Sequence, residues 1–275
     1  MIGRRIMKDN QLGKTLVVLL VLAVLFAAIV SLAGCGRQSD EKKPAVGKQE
    51  QTTKTKPQEQ GIASIRVTTR SEKSNEEAIA VALKIPQISG MKDAAIQKSL
   101  NNALAGPSLR LRDQTTQDAR EYYRETRQTG DHFWKYEVAV DYVVHYKKNG
   151  ILSLTIDNYQ FTGGAHGGTE RLPFNIDLKT GKFLALKDLF SPGFDYQRII
   201  DEEVRKQIAQ QKDIYFEGEE GFKGIGDNRT YYIIPGYVVV YFAQYEIAPY
   251  ASGMPEFKIP VKKFGNSIDQ RLIKS

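Results

Sequence analysis

The longest apolar run of the chain lies near its start. Residues 16–33 carry no charge, and the leader before them holds four basic residues against one acidic residue. The run ends at Ala33 and is followed by Gly34, both small residues. A basic leader, an apolar segment and small residues at a cleavage point are typical of a secretory signal peptide, which we predict over residues 1–34.

The next residue, Cys35, is the only cysteine in the sequence. Its position after Ala33-Gly34 resembles the bacterial lipobox, in which the cysteine thiol takes a diacylglycerol and a peptidase cuts just before it. The sequence therefore predicts a lipoprotein held at the cell membrane by lipid on Cys35. An apolar run of 18 residues is also long enough for an uncleaved membrane anchor. Both alternatives place the rest of the chain outside the cytoplasm.

A polar segment follows the cysteine. Residues 36–61 are dominated by Gln, Lys, Glu, Thr and Pro, and Val46 is their only large aliphatic side chain. Such a composition buries too little apolar surface to offset the entropy lost on ordering. We therefore predict that residues 35–61 form a disordered tether, with an average reach of about 25–30 Å.

From residue 62 onward, apolar side chains recur with the periods of strands and helices. The clearest pattern predicts a strand over 133–148, with Trp134, Val138, Val140 and Val144 buried on one face. Asn149-Gly150 is a strong hairpin signal and predicts pairing with a returning strand over 151–161. The apolar set of that second strand changes from even to odd positions, which predicts a β-bulge near Asp157.

The remaining patterns predict an α+β fold with a mostly antiparallel sheet and packed helices. We expect two helices on either side of Pro107, over 93–104 and 108–128, and an amphipathic helix over 196–208. The predicted strands are 78–85, ending before Pro86, 171–178, 231–242, bent or split at Pro235-Gly236, and 257–261.

Charge and motif content narrow the function classes. The predicted leader and tether hold ten of the 39 Lys and Arg residues, so residues 62–275 carry 29 basic and 27 acidic residues, a net charge of +2. This near-neutral balance gives no support to nucleic-acid binding. The sequence contains no G-x-S-x-G or H-E-x-x-H motif and no G-x-G-x-x-G after a strand. We therefore predict no cofactor, no metal site and no catalytic residue.

Two loops are candidates for binding a partner. Residues 162–168 place Gly163, Gly164 and two further glycines around His166, which lets the backbone adopt positive φ values repeatedly. The alternatives are an irregular connection with His166 bonded to its own loop, a partner contact, or a metal or catalytic histidine.

The second loop, 246–253, is stiffened by Pro249 and Gly253 and carries Tyr250. A structural loop whose tyrosine packs on the core is its alternative. We predict that these two loops lie together and form a partner-binding edge, because rigid loops lose little entropy on binding.

Four segments carry a resemblance to a known family. They are 162–167 (TGGAHG), 174–182 (FNIDLKTGK), 186–190 (LKDLF) and 245–253 (YEIAPYASG). In this order they resemble the extracytoplasmic domain of the RsiV family of lysozyme-sensing anti-sigma factors, which is also the non-catalytic domain of the peptidoglycan deacetylase PdaC. The stretches 83–90 and 97–101 are similar to the N-terminal half of that domain. The resemblance implies two intimate α+β subdomains, 62–161 and 162–275, and capture of a lysozyme in the anti-sigma relatives.

The sequence also departs from these relatives. Only 15 residues precede the apolar run, fewer than a sigma-binding region needs, so we expect no direct sigma regulation. No segment resembles the catalytic domain of the deacetylase. The sequence thus favours a binding or sensing module, with a lysozyme-like muramidase as the expected partner. Two hypotheses remain beside it: a module that binds cell-wall glycan through its tyrosines, and a cell-wall hydrolase that uses His166.

Overall fold

A computed structural model of the protein describes residues 64–273. The predicted signal peptide (1–34), the lipidation site Cys35 and the tether (35–61) lie outside these residues. The described part has two β-sheets and two α-helices, which confirms the predicted α+β class. Between residues 64 and 273, no helix is both long and apolar enough to cross a membrane.

The first sheet has five strands in sequential order. All neighbouring pairs are antiparallel except β2 and β3, which run parallel and are connected by a long helix, α1. The strands are β1 (Arg66–Asn75), β2 (Ile79–Ser89), β3 (Tyr136–Lys148), β4 (Ile151–Phe161) and β5 (Gly168–Asp177). Because β4 and β5 are adjacent strands, this sheet extends across the boundary predicted between residues 161 and 162.

Helix α1 (Ala94–Thr129) is continuous through Pro107, so the prediction of two separate helices is wrong. Asp93 caps its start by accepting hydrogen bonds from the Ala95 and Ile96 N–H groups. A proline inside a helix costs about 3 kcal/mol or more. The buried face offsets this cost, because it continues on both sides of Pro107, through Leu100, Leu104, Ser108, Thr115 and Ala119.

Two features of the strands before α1 differ from the prediction. Strand β1 was not predicted, because its side chains are almost all polar and exposed and it pairs only with β2. Strand β2 continues past Pro86 to Ser89. The pairing with β3 ends at Leu83, so Pro86 lies where β2 has a paired strand on one side only, a position that tolerates proline.

The β3–β4 hairpin forms as predicted. Asn149 and Gly150 adopt positive φ values of 53° and 79°, as the favoured two-residue hairpin turn requires. Val138 and Val140 are buried, as predicted, but Trp134 and Val144 are 46% and 39% exposed. The burial prediction is wrong for these two residues. Trp134 precedes β3, which begins only at Tyr136, and Val144 lies at a register shift between Val144 and Tyr146 that interrupts the alternation of the strand.

The position predicted for the β-bulge is also wrong. The register shift lies in β3, between Val144 and Tyr146, whereas β4 pairs regularly with β5 through Asp157. Residues 151–156 of β4 are buried at every position, because both faces of this strand are covered. Alternation between apolar and polar residues therefore carries no information about facing in this strand.

The C-terminal part holds a 3-10 turn (Leu186–Leu189), helix α2 (Tyr196–Ile208) and a three-stranded antiparallel sheet. Pro235-Gly236 divides the predicted central strand into β6 (Tyr231–Ile234) and β7 (Tyr237–Tyr241), and β8 (Glu256–Pro260) pairs with β7. The buried side chains of α2, Ile200 and Val204, belong to the same apolar core as this sheet.

The two sheets are joined by buried polar side chains. The Ile233 N–H donates to Ser153 Oγ at 2.8 Å, and Asn175 Nδ2 donates to the Tyr231 carbonyl at 2.8 Å. Ser153 Oγ also donates to Asn175 Oδ1 at 2.6 Å. These side chains of β4 and β5 satisfy backbone groups of β6, which would otherwise be buried without partners.

Candidate partner-binding edge

The loop that joins β4 to β5 contacts the segment that joins β7 to β8. The imidazole of His166 stacks on the ring of Tyr250, with ring centroids 3.9 Å apart and an interplanar angle of 19°. The Tyr250 hydroxyl donates to the Gly167 carbonyl at 3.0 Å. At the base of the loop, the Thr169 N–H donates to Gln244 Oε1 at 3.2 Å. The structure therefore brings the two candidate loops together.

Glycine is required at several points of the first loop. A Cβ on Gly167 would lie 2.5 Å from the Gln160 carbonyl oxygen and from the ring of Tyr159, a distance that side chains do not adopt. Gly163 and Gly164 have φ values of 101° and 91°, in the region that favours glycine. With this backbone conformation, the side chain of His166 is exposed beside Tyr250.

The second loop is anchored at its start and closes in a tight turn. Ile247 and Ala248 are buried, and Pro249 precedes a 3-10 turn over Tyr250–Ser252. Gly253, with φ of 67°, follows the turn, and its N–H donates to the Tyr250 carbonyl at 2.9 Å. Tyr250 is thus held half-buried, with one face of its ring against His166.

Two further aromatic residues extend this surface, and the sequence did not identify them as site residues. Tyr245 is 57% exposed, and its ring centroid is 5.6 Å from that of Tyr250. Trp134 is 46% exposed and packs against the start of the first loop, where a Cβ on Gly163 would lie 3.3 Å from its side chain. We call these residues, with His166 and Tyr250, the aromatic edge.

Tyr245 has an unusual backbone conformation. Its φ is +66°, and its neighbours form a turn in which the Glu246 N–H donates to the Ala243 carbonyl at 3.1 Å. A bulky residue with positive φ costs about 1–3 kcal/mol and is most often found at functional sites. Nothing in the sequence marks this position, because glycine or asparagine is the residue expected there.

A second histidine–tyrosine pair lies between the two sheets. The His145 ring stacks on Tyr232 at 4.0 Å and 23°, and its Nε2 is 2.9 Å from the buried Thr155 Oγ1. The Tyr232 hydroxyl donates to Glu256 at 2.8 Å. Burial lowers the pKa of His145 below its ordinary value, and the nearby Arg171 guanidinium lowers it further.

Ion pairs complete this junction. Arg171 donates to Asp157 through Nε and Nη2, both at 2.7 Å, and its Nη1 binds Glu256. The hydrogen bonds to Asp157 raise the pKa of Arg171 despite partial burial. This network joins strands β4, β5 and β8, so its charged groups hold the two sheets together and are not available as a binding site.

His166 is oriented by its own loop. Its Nδ1 donates to the Gly167 carbonyl at 2.9 Å. Between residues 64 and 273, no group of three or more His, Cys, Asp or Glu side chains is arranged to hold a metal ion. The hydrogen bond orients the imidazole ring against Tyr250.

Comparisons with known proteins agree with this architecture. Residues 72–169 match the family model "Deacetylase PdaC", and residues 187–262 match "Protein of unknown function (DUF3298)". Solved DUF3298 proteins from Bacteroides fragilis and Pseudomonas aeruginosa share the fold, with TM-scores of 0.59 and 0.51 at 21% and 19% identity. Each match covers 76% of this chain, and 94% and 95% of the solved chains.

Two Bacillus subtilis proteins are similar in sequence. The chain is 26% identical to anti-sigma-V factor RsiV over 255 residues, 89% of this chain and 80% of the relative. It is 30% identical to peptidoglycan-N-acetylmuramic acid deacetylase PdaC over 153 residues, 53% of this chain. The chain spans only 32% of the deacetylase. It therefore contains an RsiV/PdaC-like domain, as the motif resemblance predicted. The assignment of Gly163, Gly164, His166, Pro249, Tyr250 and Gly253 to partner binding stays a prediction.

Proposed function

We propose that this protein is a membrane-anchored, extracytoplasmic binding or sensing module whose aromatic edge contacts a lysozyme-like muramidase. The likeness to RsiV over most of the chain supports a sensing role. The observation that carries the proposal is the stack of His166 on Tyr250, which locks two loops from different sheets into one surface.

The contacts within the edge favour a protein partner. The hydrogen bond from Tyr250 to the Gly167 carbonyl and the stack of His166 on Tyr250 hold the loops in place before binding. A pre-ordered loop loses little conformational entropy when it enters a cleft such as an enzyme active site. Tyrosine and tryptophan are also the side chains that most often dominate binding energy at protein interfaces.

A capture experiment with purified partners tests this function. The full-length protein, purified in detergent micelles, is immobilised and exposed to a c-type lysozyme, to other purified muramidases and to insoluble peptidoglycan. We expect saturable binding of at least one muramidase. Retention of peptidoglycan with no binding of any muramidase would contradict the proposal and favour the glycan-binding alternative.

Anchoring through Cys35 is a separate part of the proposal. It is supported by the sequence alone, because a single cysteine follows Ala33-Gly34 at the end of the apolar run. In cells, we expect Cys35→Ala to abolish lipid attachment and to change both the processing and the mass of the membrane-bound form. A Cys35→Ala protein with unchanged mass and processing would show that the chain is not lipidated.

A further inference from the structure

A cleft of about 570 Å³ lies beside the aromatic edge. One wall is the turn that carries Tyr245 and Glu246, and the opposite wall is the segment from Phe216 to Gly224. This volume lies within the ~300–1,000 Å³ range of small-molecule sites. The cleft is lined by aromatic, acidic and basic side chains, so it has both an apolar surface and polar groups.

The wall on the Tyr245 side is rigid. The Arg229 guanidinium lies over the Phe242 ring at 4.0 Å, and its Nη1 is 2.7 Å from Glu246 Oε1. Glu246 Oε2 accepts a hydrogen bond from the Ala243 N–H at 2.8 Å. These contacts fix the turn at Tyr245, whose ring is supported by Tyr250 and remains 57% exposed.

The opposite wall presents polar groups. Within residues 64–273, the carboxylates of Glu219 and Glu220 take part in no hydrogen bond or ion pair. Lys223 Nζ donates to the Gly218 carbonyl at 2.7 Å. Since Arg229 and Glu246 neutralise each other, the other ionised side chains of the cleft, Glu219, Glu220 and Lys223, sum to −1.

We propose that this cleft binds a hexosamine-containing oligosaccharide. A pyranose ring has an apolar face that packs on an aromatic ring such as Tyr245. Its hydroxyl and amine or amide groups are donors for the carboxylates of Glu219 and Glu220. The small negative charge opposes phosphorylated and other acidic ligands. The positive φ of Tyr245 is consistent with this role, because it maintains an exposed ring at a cost in stability.

Isothermal titration tests the proposal independently of muramidase binding. The full-length protein, in a detergent without a sugar head group, is titrated with a β-1,4-linked N-acetylglucosamine tetramer and with its deacetylated form. Tyr245→Asn removes the ring and keeps a residue that accepts positive φ. Tyr237→Ala is the matched control, because Tyr237 is a surface tyrosine (38% exposed) at the opposite end of β7.

We expect at least one tetramer to bind, with a tenfold or larger loss of affinity in Tyr245→Asn and no change in Tyr237→Ala. The melting temperature of Tyr245→Asn is expected to equal or exceed that of the unaltered protein, since the substitution relieves backbone strain. Failure of both tetramers to bind would overturn the proposal, as would equal binding by the two variants. Binding of a lysine-rich peptide in place of either tetramer would identify the cleft as a site for basic side chains and would also overturn it.

Discussion

Two histidine–tyrosine stacks in this protein have nearly the same geometry and very different surroundings. His145 and Tyr232 stack at 4.0 Å and 23°, and His166 and Tyr250 stack at 3.9 Å and 19°. The first pair joins the two sheets, and Tyr232 is only 5% exposed. The second pair joins two loops at the surface, and His166 is exposed.

The partners of each pair explain the difference. The inner pair is bonded to Thr155 and Glu256, and Glu256 in turn binds Arg171, so its contacts continue into the ion-pair network between the sheets. Both polar contacts of the outer pair end on the backbone carbonyl of Gly167. The inner stack is therefore part of the folded core. The outer stack joins its two loops at the surface, where His166 remains exposed.

The two pairs are expected to differ most in how much they contribute to the free energy of unfolding. We expect Tyr232→Ala to lower the free energy of unfolding by about 3–5 kcal/mol, because truncating a buried aromatic ring leaves a cavity. The substitution also removes the hydrogen bond to Glu256. Urea denaturation of the full-length protein in detergent measures this change.

Tyr250→Ala is the matched comparison in the outer pair. We expect it to cost no more than about 1 kcal/mol, since the hydrogen bond it removes, to a surface loop, contributes roughly that much. A loss as large as that of Tyr232→Ala would show that the outer stack also supports the core, and would favour the structural alternative for Tyr250.

A smaller effect concerns pH. The lowered pKa of His145 means that the unfolded chain binds a proton more readily than the folded protein does. The protein therefore has the full stability associated with neutral His145 above the ordinary histidine pKa of about 6.5. That part of the stability is lost as the pH falls from there towards the pKa of His145 in the folded protein. We expect the melting temperature to fall over this window.

His145→Gln identifies the contribution of this histidine. Glutamine cannot take up a proton and can still hydrogen-bond to Thr155, so the variant is expected to lose this part of the pH dependence. His166→Gln is the control, because it leaves His145 and its contacts in place. If the profiles of the unaltered protein and the His145 variant coincide between pH 5 and 7, the assignment to His145 is wrong.

Strong local signals predicted much of the fold. The β3–β4 hairpin follows from Asn149-Gly150, and helix α2 follows from its apolar stripe. Pattern reasoning failed where burial did not alternate. Strand β4 is covered on both faces, β1 is polar on both, and α1 continues through Pro107 because packing on the sheet outweighs local propensity.

The sequence also identified only part of the candidate site. Glycines and prolines marked the loops around His166 and Tyr250, because those residue types signal unusual backbone conformations. Tyr245 was not identified, since a positive φ at a tyrosine depends on tertiary contacts such as the Arg229–Glu246 ion pair. Trp134 was assigned to the core because it falls in the alternating apolar pattern of residues 133–148, and its exposure depends on where β3 begins.

The central claim is that the outer stack is a binding surface, and the affinity of the Tyr250→Ala protein for a c-type lysozyme tests it most directly. Compared with Tyr237→Ala, which lies at the opposite end of β7, we expect Tyr250→Ala to weaken binding by about 2 kcal/mol or more, roughly 30-fold in Kd. Equal affinities of the two variants for lysozyme, with both proteins folded, would contradict the account.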